Sequence, residues 1–320
     1  MIHLLFTGGT ISMHRDPVAG GNVPVHGGEA LVGFARGLDA VGPYRIENWA
    51  MLPACHLGAD RMWELRERVR QVAGSGEVKG IVITHGTDTI EETAYLLDRT
   101  LNGKVPVAIT GAMRTSSDSG WDGPQNLLDA AAVAASEQSV GRGVVVVFNG
   151  KIFQGRTAVK VHATDVDAFA APHAGPIGRV EGGCVVAEAG QRGGGAAGQL
   201  SMLKPRGLTA RVALIPMLVG DDGGMLDLAR PGHDGVVIMA FGSGNVPPGA
   251  VPAIGRWIDE GKPVVVSTRC PLGEVTPVYA FEGGGSRLVA MGAIPAGPRS
   301  PSQARMELTI ALSAGVAYGS

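Results

Sequence analysis

Five apolar runs of strand length divide the first half of the chain, at 2–6, 46–52, 81–84, 105–110 and 144–148. They read as continuous rather than alternating hydrophobic strands, the pattern of a sheet covered on both faces. Between them, 60–72, 91–101 and 125–135 carry apolar residues at helical spacing. Strands that alternate with helices predict parallel β-α-β units. The pattern then breaks at 191–200, where QRGGGAAGQL is rich in glycine and has no periodicity. Such a stretch reads as a linker. Beyond it, strand-like runs at 212–217, 236–241 and 264–267 and helical patterns at 251–259 and 303–313 predict a second α/β region.

The expected fold class is therefore α/β with two α/β domains. The larger N-terminal one has a parallel sheet of Rossmann-like or flavodoxin-like kind, and the C-terminal one is smaller. The expected boundaries are 1–190 for the first domain, 191–209 for the linker and 210–320 for the second domain. Length agrees, because 320 residues exceed what one core usually holds. No internal repeat of solenoid period is present.

Composition narrows the function. Hydrophobic residues make up 45% of the chain and charged residues 18%, enough for a sizeable core. A net charge of −2 argues against a nucleic-acid partner. The 50 glycines follow no collagen period and read as tight turns plus linker. Cys55, Cys184 and Cys270 are widely spaced and form no C-x-x-C pattern, which argues against a disulfide framework or a zinc site. The chain begins MIHLLFTGGT, already a strand entering its turn, and no apolar run reaches membrane-spanning length. A cytoplasmic protein without membrane association is expected.

The candidate chemistry lies in two threonine-bearing turns, LLFTGGTIS at 4–12 and IVITHGTDTIEETAYLLD at 81–98. In an open parallel sheet, turns leaving the carboxyl ends of strands line the ligand crevice. The first turn lacks the G-x-G-x-x-G order, since Gly8 and Gly9 are adjacent, so nicotinamide binding is the weaker reading. Its glycines still allow backbone N–H groups to face an anion or a carbonyl oxygen. Thr7 and Thr10 taken alone also fit ordinary β-branched residues at a strand exit.

In the second turn, Thr87, Asp88 and Thr89 set hydroxyl, carboxylate and hydroxyl in a row. Asp88 or Thr89 fits a helix N-cap equally well. As a functional group, Asp88 can take the α-ammonium of an amino acid. Thr87 can attack a carbonyl or position a water, and a threonine nucleophile needs a base for its proton. Lys160, in GRTAVKVHATD, is either a solvated surface lysine or, beside Thr87 in a desolvated pocket, that base with a lowered pKa. His56 and His85 read as structural or hydrogen-bonding residues. The eight histidines show no H-E-x-x-H spacing, so no catalytic metal is expected. Neither a G-x-S-x-G elbow nor a phosphate-binding G-x-x-x-x-G-K-[ST] loop is present.

These residues resemble the bacterial-type L-asparaginase family, and its cytosolic members most. The similar segments, in the family's order, are TGGTI at 7–11, THGTDTIEETAYLLD at 84–98, ITGAMR at 109–114 and DGPQNLLDA at 122–130. GRTAVKVHATDVDAF at 155–169, GPIG at 175–178, FGSGNVP at 241–247 and TRCPLG at 268–273 continue the match. The resemblance implies hydrolysis of L-asparagine to L-aspartate and ammonia without a cofactor. It also implies a homodimer or homotetramer with active sites at the subunit interface. By it, Thr10 matches the threonine nucleophile, and Thr87, Asp88 and Lys160 match the second threonine, the carboxylate and the lysine. Asp88 would hold the substrate's α-ammonium. The main chain of Ala112 would lie near the side-chain amide, and Asn245 would be lent by a neighbouring subunit. Gly9, Gly86, Cys55 and His56 complete the expected substrate contacts.

Three features depart from the family's usual pattern. No tyrosine lies between His14 and Glu29, where the family often has one after TGGTI. The usual Ser-Gln pair for the substrate carboxylate is replaced by Ala54, Cys55 and His56 in LPACHLG. No acidic residue falls cleanly where some members supply a glutamate across the interface, Tyr279 and Glu282 being the nearest candidates. The proton acceptor for Thr10 then comes from Tyr279 or from Ser12, His14 or His26. Two other readings stand beside the asparaginase: a catalytically weak amino-acid-binding protein of the same fold, and an ammonia-releasing amidotransferase subunit. The latter usually carries an additional N-terminal domain.

Overall fold

The computed structural model describes residues 1–101, 103–188 and 205–318. They divide into two units, Met1–Met202 and Leu203–Ser320.

The first unit opens with β1 (Ile2–Gly8), the hairpin β2 (Met13–Asp16) and β3 (Gly21–Pro24), and short helices α1 (Gly28–Phe34) and α2 (Leu38–Val41). There follow β4 (Tyr44–Leu52), α3 (Ala59–Gly74), β5 (Gly80–Thr84), α4 (Ile90–Thr100), β6 (Val107–Thr110), α5 (Gly123–Ala135) and β7 (Val144–Phe148). The unit closes with β8 (Lys151–Gln154), the two-residue strands β9 (Val159–Lys160) and β10 (Phe169–Ala170), β11 (Gly178–Glu181) and β12 (Cys184–Ala187).

Its main sheet has the order β12-β11-β8-β7-β6-β5-β1-β4. The five strands β4, β1, β5, β6 and β7 are parallel. Their pleat sorts side chains onto two cores. Leu5, Ile81, Ile83, Val107, Ile109 and Val146 pack with Leu65 and Val69 of α3 and Leu97 of α4. Leu4, Phe6, Val82, Ala108 and Val145 pack with Leu31 of α1 and Leu127 and Ala131 of α5. Both faces of these strands are thus apolar, which is why their sequences run on without alternation. The exception is β4, the edge strand, where Glu47 and Asn48 interrupt the apolar run.

The other three strands depart from the expected parallel pattern. β8 pairs antiparallel to β7, β11 to β8, and β12 to β11. No helix fits between β7 and β8, because Asn149 and Gly150 alone connect them, both at positive φ (49° and 72°). An Asn-Gly pair in that conformation is the two-residue turn whose twist suits a hairpin.

The second unit is a four-stranded parallel sheet, β13 (Val212–Pro216), β14 (Gly235–Ala240), β15 (Val264–Thr268) and β16 (Ile294–Pro295), in that order. Helices α6 (Gly224–Ala229), α7 (Val251–Asp259), α8 (Gly285–Met291) and α9 (Pro301–Ser313) accompany it. Trp257 of α7 is fully buried and donates its indole N–H to Leu226 O at 3.0 Å. A Ser300–Gln303 capping box starts α9. Of the stretch 191–209, residues 191–204 lie outside the described residues. Leu208 is buried, and Ser313 Oγ accepts from the Thr209 N–H within the second unit.

Candidate active site

The chain leaves β1 for the edge strand β4 on one side, then crosses back to β5 on the other. That reversal makes the carboxyl ends of β1 and β5 the switch point of the sheet, where a crevice opens. The turns meet there at backbone distance. A Cβ built on Gly9, which sits at φ 83°, would lie 2.3 Å from Gly86 Cα and 2.4 Å from Gly86 N. One built on Gly86 would lie 2.6 Å from Ala54 Cβ. Only glycine permits this approach, so Thr10 and Thr87, each the next residue, leave one shared junction. Gly9 contributes through its missing side chain, since its N–H is already donated to Leu52 O at 3.0 Å.

Thr87 is buried, with a relative exposure of 5%. Lys160 Nζ donates to its Oγ1 at 2.9 Å and to Asp88 Oδ1 at 2.9 Å. The Lys160 side chain is 18% exposed and that of Asp88 67%. The lysine is therefore not a solvated surface residue, whereas the carboxylate remains open to a ligand. Neither competing role in helix capping is taken up. Helix α4 begins after Thr89 without a side-chain cap, and Thr89 Oγ1 donates to Ala54 O at 3.3 Å.

Lys160 is delivered by the β9–β10 ribbon, in which it stands opposite Phe169. Phe169 stacks on Phe148 at the end of β7, ring centroids 4.8 Å apart. Upstream, Gly155 N donates to Val144 O at 2.7 Å and Arg156 Nη1 to the buried carboxylate of Asp98 at 3.2 Å. The segment is fixed at both ends.

His85 braces the second turn from below. It is fully buried, its Nδ1–H donates to Gly86 O at 2.8 Å, and its Nε2 accepts from Thr93 Oγ1 at 3.1 Å. Burial lowers its pKa from 6.5 to about 4, so it stands as a neutral imidazole. The next turn carries Ala112, which is fully buried. It is held by Asn126 Nδ2, donating to Gly111 O at 3.0 Å, and by Asp122, whose carboxylate accepts from Met113 N and Arg114 N at 2.9 Å each.

The remaining predicted residues are spread more widely. Cys55 and His56 are exposed on the 3₁₀ turn Ala54–His56, which leaves the same junction. Asn245 lies in the second unit, where its Oδ1 accepts from Gly285 N at 3.2 Å. Tyr279 and Glu282 are exposed in that unit, and the Tyr279 ring stacks on Phe281 at 5.4 Å. His14 and His26 do not reach towards Thr10 with a side-chain bond; both meet Ser116 Oγ. Sequence reasoning named neither Asp122 nor Ser116. Asp122 had a signal, an Asp-Gly-Pro before a helical pattern, but Ser116 had none.

A hydroxyl, an amino group and a carboxylate thus gather at the switch point of an open α/β sheet, the place where such sheets bind ligands. Residues 1–191 match the family described as Asparaginase, N-terminal, and residues 211–318 match the Glutaminase/Asparaginase C-terminal domain. The chain is 39% identical over 318 residues to a probable L-asparaginase of Deinococcus radiodurans, covering 98% of this chain and 92% of the relative. It is 31% identical over 316 residues to L-asparaginase 2 of Escherichia coli, covering 98% and 88%. A solved structure of a probable cytoplasmic L-asparaginase from Campylobacter jejuni superposes with a TM-score of 0.83 at 28% identity, covering 97% of this chain and 94% of that one. The chain belongs to the asparaginase family and is a hydrolase of that family. Among the described residues, no helix is long and apolar enough to cross a membrane.

Proposed function

We propose that this protein hydrolyses L-asparagine to L-aspartate and ammonia through a threonine nucleophile. The observation that carries the reading is Lys160 Nζ, 2.9 Å from both Thr87 Oγ1 and Asp88 Oδ1, beside the junction that also releases Thr10. In this reading Thr10 attacks the side-chain carbonyl carbon of asparagine. The new C–O bond forms, the C–N bond breaks, and the nitrogen leaves as ammonia after gaining a proton. Water then hydrolyses the ester and frees Thr10. Thr87 and Lys160 carry the proton traffic, taking the Thr10 proton as the C–O bond forms and delivering it to the leaving nitrogen. Asp88, open on its solvent side, holds the substrate's α-ammonium by a charge-assisted contact.

The main chain at Ala112 faces the amide, and Cys55 and His56 take the substrate carboxylate. Asn245 comes from a neighbouring copy in a homodimer or homotetramer. A cytoplasmic location is supported by the description of the Campylobacter jejuni neighbour as cytoplasmic. Glutamine differs by one methylene, a difference worth ~1–3 kcal/mol in a pocket, so a minor glutaminase activity accompanies the main one. The test is steady-state ammonia release from both amides. Turnover of asparagine supports the reading, while saturable aspartate binding without turnover replaces it with an amino-acid-binding protein.

A further inference from the structure

The residues that follow Thr10 are held by a cluster outside the proposed chemistry. Ser116 N and Ser116 Oγ both donate to Met13 O, at 3.1 Å each. His14 Nδ1 lies 3.0 Å and His26 Nε2 2.8 Å from the same Ser116 Oγ. Ser117 Oγ is 2.9 Å from His14 Nδ1 and accepts from Arg15 N at 2.8 Å. On the other side, Ser12 O accepts from Val25 N at 2.8 Å and His26 N at 3.0 Å. The hairpin β2–β3 is therefore tied to loop 115–118 at its root.

A serine hydroxyl has one hydrogen and two lone pairs. With the hydrogen on Met13 O, Ser116 Oγ is left as the acceptor facing His26 Nε2 at 2.8 Å, while His14 Nδ1 lies between it and Ser117 Oγ, at 3.0 and 2.9 Å. The His26 ring is packed edge-on against Phe34 at 5.4 Å and lies 6.1 Å from Trp121 and 6.1 Å from His14. This contact spans about a hundred residues of sequence, and it closes on the turn that bears Thr10.

We propose that Ser116 is a positioning residue for Thr10: by clasping His14 and His26 it fixes the hairpin root and, through Ser12 and Met13, the orientation of the first threonine turn. The proposal rests on the reading of Thr10 as nucleophile. It also accounts for how a chain without the usual tyrosine after TGGTI keeps this segment in place. Burial and the neighbouring His14 ring, 6.1 Å away, hold the His26 pKa below its ordinary 6.5, so the closed clasp disfavours a charge on His26 and gaining one in acid loosens it. The charged groups on the elements packed here are Arg15 and Asp16 on the hairpin, Arg114 and Asp118 on the loop, Glu29 on α1 and Asp122 beside Trp121. Asp118 accepts from Thr115 N and Oγ1 at 2.7 and 2.8 Å and so turns towards its own loop.

The experiment compares the full-length protein with Ser116→Ala and Ser116→Thr. Hydrogen–deuterium exchange of amides 13–26 reads the clasp without any reference to activity, and kcat, KM and the pH profile read its effect on the turn. Ser116→Ala should speed exchange in 13–26 and lower kcat about tenfold at nearly unchanged KM and melting temperature, with the acid limb of the kcat profile displaced. Ser116→Thr, which keeps the hydroxyl, should restore all of these. Unchanged exchange in Ser116→Ala overturns the clasp. Faster exchange with wild-type kcat and acid limb overturns its link to Thr10. A wild-type protein without turnover refutes the functional reading instead, and the exchange data then decide the clasp alone.

Discussion

Replacing Gly9 by alanine tests the junction on which the whole site depends. The residue sits at φ 83° and ψ −175°, a region essentially reserved for glycine, where another residue costs ~1–3 kcal/mol. The added Cβ would also meet Gly86 Cα at 2.3 Å, Gly86 N at 2.4 Å and His85 C at 2.9 Å. These are backbone atoms braced by the His85 side chain, so no flexible group can swing aside. Overpacking of this kind costs a further ~1–3 kcal/mol. Gly9→Ala should therefore lose roughly 2–6 kcal/mol in equilibrium urea unfolding. What survives should turn over poorly, because the two turns must part by most of an ångström, and a misplacement of that size costs ~100-fold. Gly20→Ala is the control: its φ is also positive, at 70°, but nothing lies within 4 Å of the added methyl. It should lose only part of that stability and none of the activity. A Gly9→Ala protein with wild-type midpoint and wild-type ammonia release would refute the argument that the turns touch.

The remaining predictions concern the cluster and its brace. Thr10→Val and Thr87→Val should each fold normally while amide hydrolysis, followed by ammonia release, falls ~100-fold or more. Lys160→Met should abolish turnover while aspartate binding, measured by calorimetry, persists; an active Lys160→Met would remove the lysine from proton transfer. For His85, the folded pKa of about 4 lies below the ordinary 6.5, so the unfolded chain takes up the proton first. The stability it contributes is complete above pH 6.5 and is lost as pH falls towards 4, by roughly 3 kcal/mol at ~1.4 kcal/mol per pH unit. Urea midpoints across that range should fall less steeply in His85→Gln than in the wild type.

The long buried elements were legible because their environment writes itself into every residue. Strand β7 and helix α7 coincide with their predicted spans at 144–148 and 251–259, and β1 extends the predicted 2–6 only into its glycine turn. What escaped was short or exposed. Strands β2 and β3 are mostly polar because they cover no core of their own. The β7–β8 hairpin was announced by Asn149-Gly150, a signal that the search for parallel units passed over. The turns of the site were legible through hydroxyls crowded at strand ends, but the pairing of Thr87 with Lys160, 73 residues apart, leaves no local trace and stood only as one of two alternatives for the lysine. Ser116, whose partners lie 90 to 103 residues away, was invisible for the same reason.

The ribbon that carries Lys160 also sets an order of events during synthesis. Chains emerge from the ribosome N-terminus first, and domains fold largely as units. Once Phe148 has appeared, all five parallel strands exist, and Thr10, Thr87 and Asp88 already have the sheet they stand on. The ammonium is still missing, because Lys160 is held in place by Phe169, which arrives later and docks on Phe148. In a nascent chain of this protein the parallel strands are thus complete before the ribbon that carries Lys160 has been made, and the ring that anchors that ribbon is supplied after the lysine itself.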